Sequence, residues 1–301
     1  MQKVQQIIAN YLKFQDNIET ASPLTLKAYA NDLKQAFLIK HKNVFDLDKT
    51  VKSYDEFWAL ARPALLRWGS LSLASRNRKT ATLKSFFNWL FRGKFTEKNY
   101  AELLICPKVP KKIPHFLSVD EILSVLKLLD EQSASGHLEV LRARTLFLLL
   151  YGGGLRISEA CQLKWKAIQF TEKRILIFGK GGKERFASLP SYSFSALKKL
   201  KIKSEKSEFV FGDKPLNTRS AYETIRTLGK KAGLMNPLHP HALRHSFATH
   251  LLASGANLRT LQSLLGHDSL QATEKHTHLS VDHLARTMDS THPLGKLKLG
   301  S

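Results

Sequence analysis

Cysteine is almost missing from this chain of 301 residues, which holds only Cys106 and Cys161. Two thiols cannot build a disulfide framework, so the fold must rest on packed apolar cores, as in a reducing compartment. Long apolar runs are missing too. The longest runs from Leu146 to Tyr151, far short of the roughly 20 residues a bilayer-spanning helix needs. The opening stretch MQKVQQIIANYLKFQ is amphipathic and lacks the apolar core of a signal peptide. No membrane partner is expected, and a cytoplasmic, nucleoid-associated location is. Acidic residues are scarce, with 25 Asp and Glu against 47 Lys and Arg, a net charge of +22 and a pI near 10. Such a balance points to a polyanionic partner, nucleic acid before any other. Tyrosine is lacking where histidine is densest: none follows Tyr222, while nine of the twelve histidines lie beyond residue 238.

The apolar share of 43% and the length together support two packed domains. The charge is no detachable tail, since residues 1–115 hold 20 Lys and Arg against 9 Asp and Glu and the remainder holds 27 against 16. Residues 1–100 read as helices. Ile7, Ile8, Tyr11 and Leu12 recur at helical spacing, and Ser22-Pro23 with Thr25 opens a second helix carrying Leu26, Tyr29, Ala30, Leu33 and Phe37. A third covers Tyr54 to Trp68. A fourth starts near Ser72, with Leu83, Phe86, Phe87, Leu90 and Phe91 as its core stripe. Its opening is basic and hydroxyl-rich, so Arg76, Arg78 and Lys79 are expected to contact phosphate. Residues 106–114, CPKVPKKIP, carry three prolines and three lysines. They read as an extended linker whose Lys111 and Lys112 cross a DNA backbone. The expected division is 1–105, a linker at 106–115, and 116–301.

Ser118 with Glu121 makes a capping box for the next helix, and a buried helix follows from Arg142 to Tyr151. The glycines of YGGGLRISEACQLKW are not followed by Gly-Lys-Ser/Thr, so an ATP loop is not expected. They read as a tight turn that aims Arg156 from a helix start. Residues 174–178 and 184–189 are the only convincing strands, joined by a glycine hairpin with Lys180 and Lys183 at its tip. Residues 195–207 read as a basic helix and loop, and Ser220 to Ala232 as a helix with Arg219 and Arg226 set for phosphate. From His239 onward, HPHALRHSFATHLL places His241 and Arg244 three apart on one helical face. His241 and His245 have the i,i+4 spacing of zinc ligands, yet no H-E-x-x-H occurs and the cysteines do not cluster, so neither metal nor cofactor is expected.

Four stretches, 152–163, 179–190, 241–252 and 264–280, resemble in order and spacing the boxes of the tyrosine recombinases and integrases, most closely the bacterial Xer type. The resemblance implies a mainly α fold: an N-terminal helical core-binding domain, then a catalytic domain of helices with a small antiparallel sheet. It implies a phosphate clamp of Arg156 and Arg244, hydrogen bonds from His241 and His267, and Lys180 as the acid for the departing 5′-oxygen. Glu159 would orient the site. The implied partners are a double-stranded recombination site, a homo- or hetero-tetramer of recombinase subunits, and a DNA translocase of the FtsK type. Chromosome dimer resolution is the implied role, with phage or mobile-element integration behind it. The two domains would close on DNA as a clamp, and residues 281–301, with Leu284, Met288, Leu294, Leu297 and Leu299, would pack on a neighbouring subunit.

One letter departs from the family pattern. Where the family carries its nucleophilic tyrosine, nine residues past His267, this chain has His276 within TEKHTH. Imidazole is shorter than phenol, and a phosphoramidate differs from a phosphotyrosine. Natural loss, an engineered substitution and an alternative nucleophile all fit the letter. The expectation is a recombinase impaired at its nucleophile, and the other reading is a recombinase fold that binds DNA without cutting it.

Overall fold

The computed structural model describes residues 2–37, 40–41, 44–45, 50–110, 116–178, 184–204, 207–256, 261 and 288–297. They fall into two compact units, 1–112 and 113–301.

The first unit packs four helices: α1 (Val4–Asn17), α2 (Pro23–Phe37), α3 (Glu56–Arg67) and α4 (Leu73–Arg92). Short antiparallel pairings accompany them, β1 (Gln2–Lys3) with β4 (Thr50–Val51) and β2 (Lys40–His41) with β3 (Val44–Phe45). The helix starts follow the sequence: Ser22 Oγ accepts from the Thr25 amide and Ser72 Oγ from the Ser75 amide. The core is aromatic, with Tyr11, Phe37, Phe57, Phe86 and Phe87 all buried. Phe37 meets Phe57 edge-on at 4.9 Å. Phe91 departs from the expected stripe and is exposed, because positions 83, 86, 87 and 90 already complete the inward face.

The second unit is built on α6 (Leu138–Gly152), whose residues 144–152 are all buried. Around it lie α5 (Val119–Ser133), α7 (Ile157–Cys161), α8 (Ser191–Lys203), α9 (Thr218–Lys231) and α10 (Pro240–Ala253). The Ser118–Glu121 capping box forms as the sequence implies, at 2.8 and 3.2 Å. A three-stranded antiparallel sheet runs β5 (Ile168–Gln169), β6 (Arg174–Phe178), β7 (Glu184–Ser188). The sequence shows only β6 and β7, since two residues are too few for an alternation to register.

The end of the chain departs from expectation. Met288, His292 and Leu294 are buried in the core of their own unit. Asp289 accepts from the Ser191 amide and hydroxyl, both at 2.8 Å, at the start of α8, and from Lys173 at 3.3 Å. Within the single chain these residues pack on their own unit, where the expectation had residues 281–301 on a neighbouring subunit. Leu284 and Leu299 lie outside the described residues. No described helix is long and apolar enough to cross a membrane.

Candidate active site

Helix α6 ends in the glycine triplet, and the turn that follows sets the site. Gly154 has φ +58°, a conformation open to glycine, and a Cβ on Gly152 would lie 2.4 Å from Ser193 Oγ. The chain therefore reverses tightly against α8 and delivers Arg156 as the N-cap of α7. Glu159, one turn on, accepts from the Arg156 amide at 2.7 Å and from its Nη1 at 2.9 Å. The Glu159 side chain is only 6% exposed, that of Arg156 43%. The orienting role read for Glu159 thus has a geometry: its carboxylate holds the guanidinium while leaving one edge of it open.

Arg244 arrives from α10. Pro240 occupies the first turn of that helix, where its missing amide costs nothing. His241 is exposed on the same turn, three residues ahead of the half-buried Arg244. Arg244 Nη1 donates to the Gly154 carbonyl, so the glycine turn holds both arginines. Burial, then the neighbouring charges of Arg156 and Arg185, bring the Arg244 pKa down to about 10, with Glu159 opposing them. It remains a cation at neutral pH.

Arg185 escaped the sequence reading. It lies on β7 opposite Ile177, with its side chain 13% exposed, and donates from Nη2 to Glu159 Oε2 at 2.8 Å. Strand alternation could have found it, since Arg185 shares the inward face with Ala187 and faces the buried Ile177. A cation at a core-facing position must have a partner. Burial lowers its pKa first, Glu159 opposing and Arg156 adding to the shift.

Other letters of the helical box are architectural. Ser246 Oγ accepts from the Leu117 amide at 2.8 Å, and His250 Nδ1 shares a 2.9 Å hydrogen bond with the Tyr151 hydroxyl. His239 stacks on Tyr222 and bonds its hydroxyl at 2.8 Å.

The structure joins Arg156 and Arg185 through Glu159 and holds Arg244 on the Gly154 carbonyl of the same turn. Lys180, His267 and His276 lie outside the described residues, as do Lys111, Lys112 and Lys183. Arg76, Arg78 and Arg219 are exposed. Lys79 is placed differently from the expectation: it is buried, bonded to Asp32 at 2.9 Å and Gln35 at 2.7 Å, and sits over the Trp68 ring. Its charge serves the first unit's interior.

Residues 115–283 match the model of the phage integrase family. The chain belongs to that family, among the tyrosine recombinases. It is 38% identical over 233 residues to tyrosine recombinase XerC of Myxococcus xanthus, covering 73% of this chain and 76% of that protein. It is 35% identical over 311 residues to tyrosine recombinase XerC of Oceanobacillus iheyensis, covering 97% and 98%. Among solved structures, its fold is similar to that of XerH site-specific recombinase bound to palindromic difH substrate, a post-cleavage complex. There the TM-score is 0.65 at 23% identity, with 95% of this chain and 92% of that one covered. The family is thus that of Xer-type site-specific recombinases, and the expected fold class, mainly α with a small antiparallel sheet, is the one observed.

Proposed function

We propose that this chain acts on duplex DNA at a specific site, by cutting and rejoining through a covalent 3′-phosphoprotein intermediate. One observation carries the reading: Arg156 and Arg185 both donate to the single carboxylate of Glu159, and Arg244, held on the Gly154 carbonyl, feels the charges of all three. These four groups have a surplus of two positive charges in a partly buried place. A scissile phosphate, which gains charge on its non-bridging oxygens under attack, matches that surplus. Planar guanidinium forks match two such oxygens at once.

In this reading Arg156 and Arg244 clamp the phosphate, and His241 and His267 add hydrogen bonds to it. The nucleophile bonds to phosphorus as the bond to the 5′-oxygen breaks, and Lys180 protonates that oxygen. The covalent bond keeps the phosphodiester energy until another strand's 5′-hydroxyl attacks. Arg76, Arg78, Arg219, Lys111, Lys112 and Lys183 hold the flanking backbone. A tetramer of recombinase subunits, a translocase of the FtsK type and chromosome dimer resolution complete the proposal, as what the resemblance of the four boxes to Xer recombinases implies.

His276 favours a second reading, a DNA-binding protein that does not cut. A nicked suicide substrate separates the two. With the chain as it stands, adduct formation should be at least about a thousandfold slower than with His276→Tyr, as loss of a nucleophile costs orders of magnitude even where electrostatic stabilisation survives. His276→Tyr should trap a 3′-phosphotyrosine adduct, seen as a slow band on a denaturing gel. An inert His276→Tyr protein on DNA it demonstrably binds would overturn the cutting reading. Efficient adduct formation by the present chain, acid-labile and mapped to His276, would overturn the impairment.

A further inference from the structure

A buried ion pair adds little net stability, because desolvation consumes most of the Coulombic gain. Strand β7 nevertheless spends an inward position on Arg185, where its neighbours in register and alternation are the apolar Ile177 and Ala187. It does so beside two more arginines, which repel it. An apolar side chain would fill the position at lower electrostatic cost. What such a side chain cannot do is grip a particular carboxylate oxygen.

The oxygens of Glu159 are divided between two elements. Oε1 accepts from Nη1 of Arg156. Oε2 accepts from the Arg156 amide, and also from Nη2 of Arg185. The carboxylate therefore joins the start of α7 to strand β7 in a single hydrogen-bonded chain. Strand β7 begins at Glu184, which pairs with Phe178, the last residue of β6. These two strands lead into and out of residues 179–183, the stretch that contains Lys180.

We propose that Arg185 is a positioning residue for phosphoryl transfer: through Glu159 it fixes the guanidinium of Arg156 and ties the glycine turn to the strand pair that carries the lysine segment. The inference rests on the recombinase reading above. Arg185 itself does not touch the phosphate. Its side chain is almost enclosed, whereas Arg156 keeps 43% of its side chain open. The roles are thus divided, with Arg156 facing the substrate and Arg185 holding the carboxylate from behind. Without Arg185, Glu159 keeps only its two bonds to Arg156 and loses the one donor from another element, so the carboxylate and the Arg156 guanidinium can shift together. Lysine keeps the charge but offers a compact ammonium on a flexible stem, so it restores the pairing only in part.

Two measurements on the full chain test this. In the first, the chain is labelled with ¹⁵N-arginine and the guanidinium signals of Arg156 are followed with inorganic phosphate as the probe. The parent should show slow exchange at Arg156. Arg185→Met should lose it with the thermal midpoint still marking a folded protein, and Arg185→Lys should fall between. In the second, the same substitutions are placed in His276→Tyr and adduct formation is timed at saturating nicked DNA. Arg185→Met should slow the step about a hundredfold, the usual cost of a misplaced reacting group. The DNA concentration at half-saturation and its salt dependence should stay as they were. If Arg185→Met does not fold, Arg185→Lys decides both readouts. Unaltered Arg156 exchange and an unaltered rate in the folded variants would overturn the assignment. If His276→Tyr forms no adduct at all, the recombinase reading fails, while the Arg156 signals still decide whether Arg185 positions it.

Discussion

Asp32 is 1% exposed and gathers Arg78, Lys79 at 2.9 Å and the Thr82 hydroxyl at 3.0 Å. It fastens α2 to α4 inside the first unit. Removing one member of a buried ion pair strands the others, at a cost of about 3–5 kcal/mol. Asp32→Ala should therefore lower the unfolding free energy of the chain by about that much, read from urea melts of the first unit's tryptophan signal. Lys79→Met, which keeps the stem over Trp68, should cost less, and equal losses would show that the stranded charge is not what matters. The same cluster explains why the sequence misled at Lys79. In a run of Arg, Asn, Arg and Lys nothing marks the fourth member as inward, and its partner lies 47 residues earlier. Arg185 and Glu159 repeat the lesson at the site. Local spacing exposed Arg156, His241 and Arg244, whereas the cross-chain bond that positions the first of them was invisible until the fold joined its ends.

At the scale of elements, helices were the most legible, because a capping serine and a repeating apolar stripe are local signals. Ser72, Ser118 and the α10 box start or run where the letters say. The chain end was not legible. Its leucines suggested a partner, and only the fold shows that Leu294 is buried in the core of its own unit, with Leu297 packed against it. His292 is the centre of that docking: it is fully buried, accepts from the Leu294 amide at 3.1 Å, and packs between Tyr151 and Phe247. Burial drops its pKa from 6.5 to about 3, against the hydrogen bond to the Tyr151 carbonyl and with a smaller push from His250. The unfolded chain takes up a proton below pH 6.5, while the folded chain does so only near pH 3. Stability from this group is thus whole above pH 6.5 and is lost on acidification, by up to about 1.4 kcal/mol per pH unit, until the folded pKa is reached. His250 shifts in the same direction, so both contribute to the slope. His292→Gln should be less stable at neutral pH yet lose less between about pH 6.5 and 4.5, where the linkage operates. Identical acid slopes in urea melts of the two proteins would refute this.

At the scale of the whole molecule, the surplus of +22 is shared by both units, so binding should draw on both. The cations proposed here to meet phosphate are Arg76, Arg78, Lys111 and Lys112 in the first unit, and Lys183 and Arg219 in the second. Each phosphate neutralised releases condensed counterions, so log K should fall against log salt by about 0.9 per contact. Six contacts give a slope near −5 as a lower bound for the full chain. Arg78 is set aside as a test position because it also holds Asp32, and Lys79 is inside. That leaves two sets of substitutions in the intact protein: Arg76→Ala with Lys111→Ala and Lys112→Ala, and Lys183→Ala with Arg219→Ala. The first should flatten the slope by about 2.7 and the second by about 1.8, in proportion to the contacts removed. Neither should change the preference among DNA sequences, because phosphate contacts carry no base information. A slope left unmoved by one set, in a protein that melts like the parent, would mean that those cations do not meet the backbone. The wrapping of DNA by both units would then have to be abandoned for binding through the other alone.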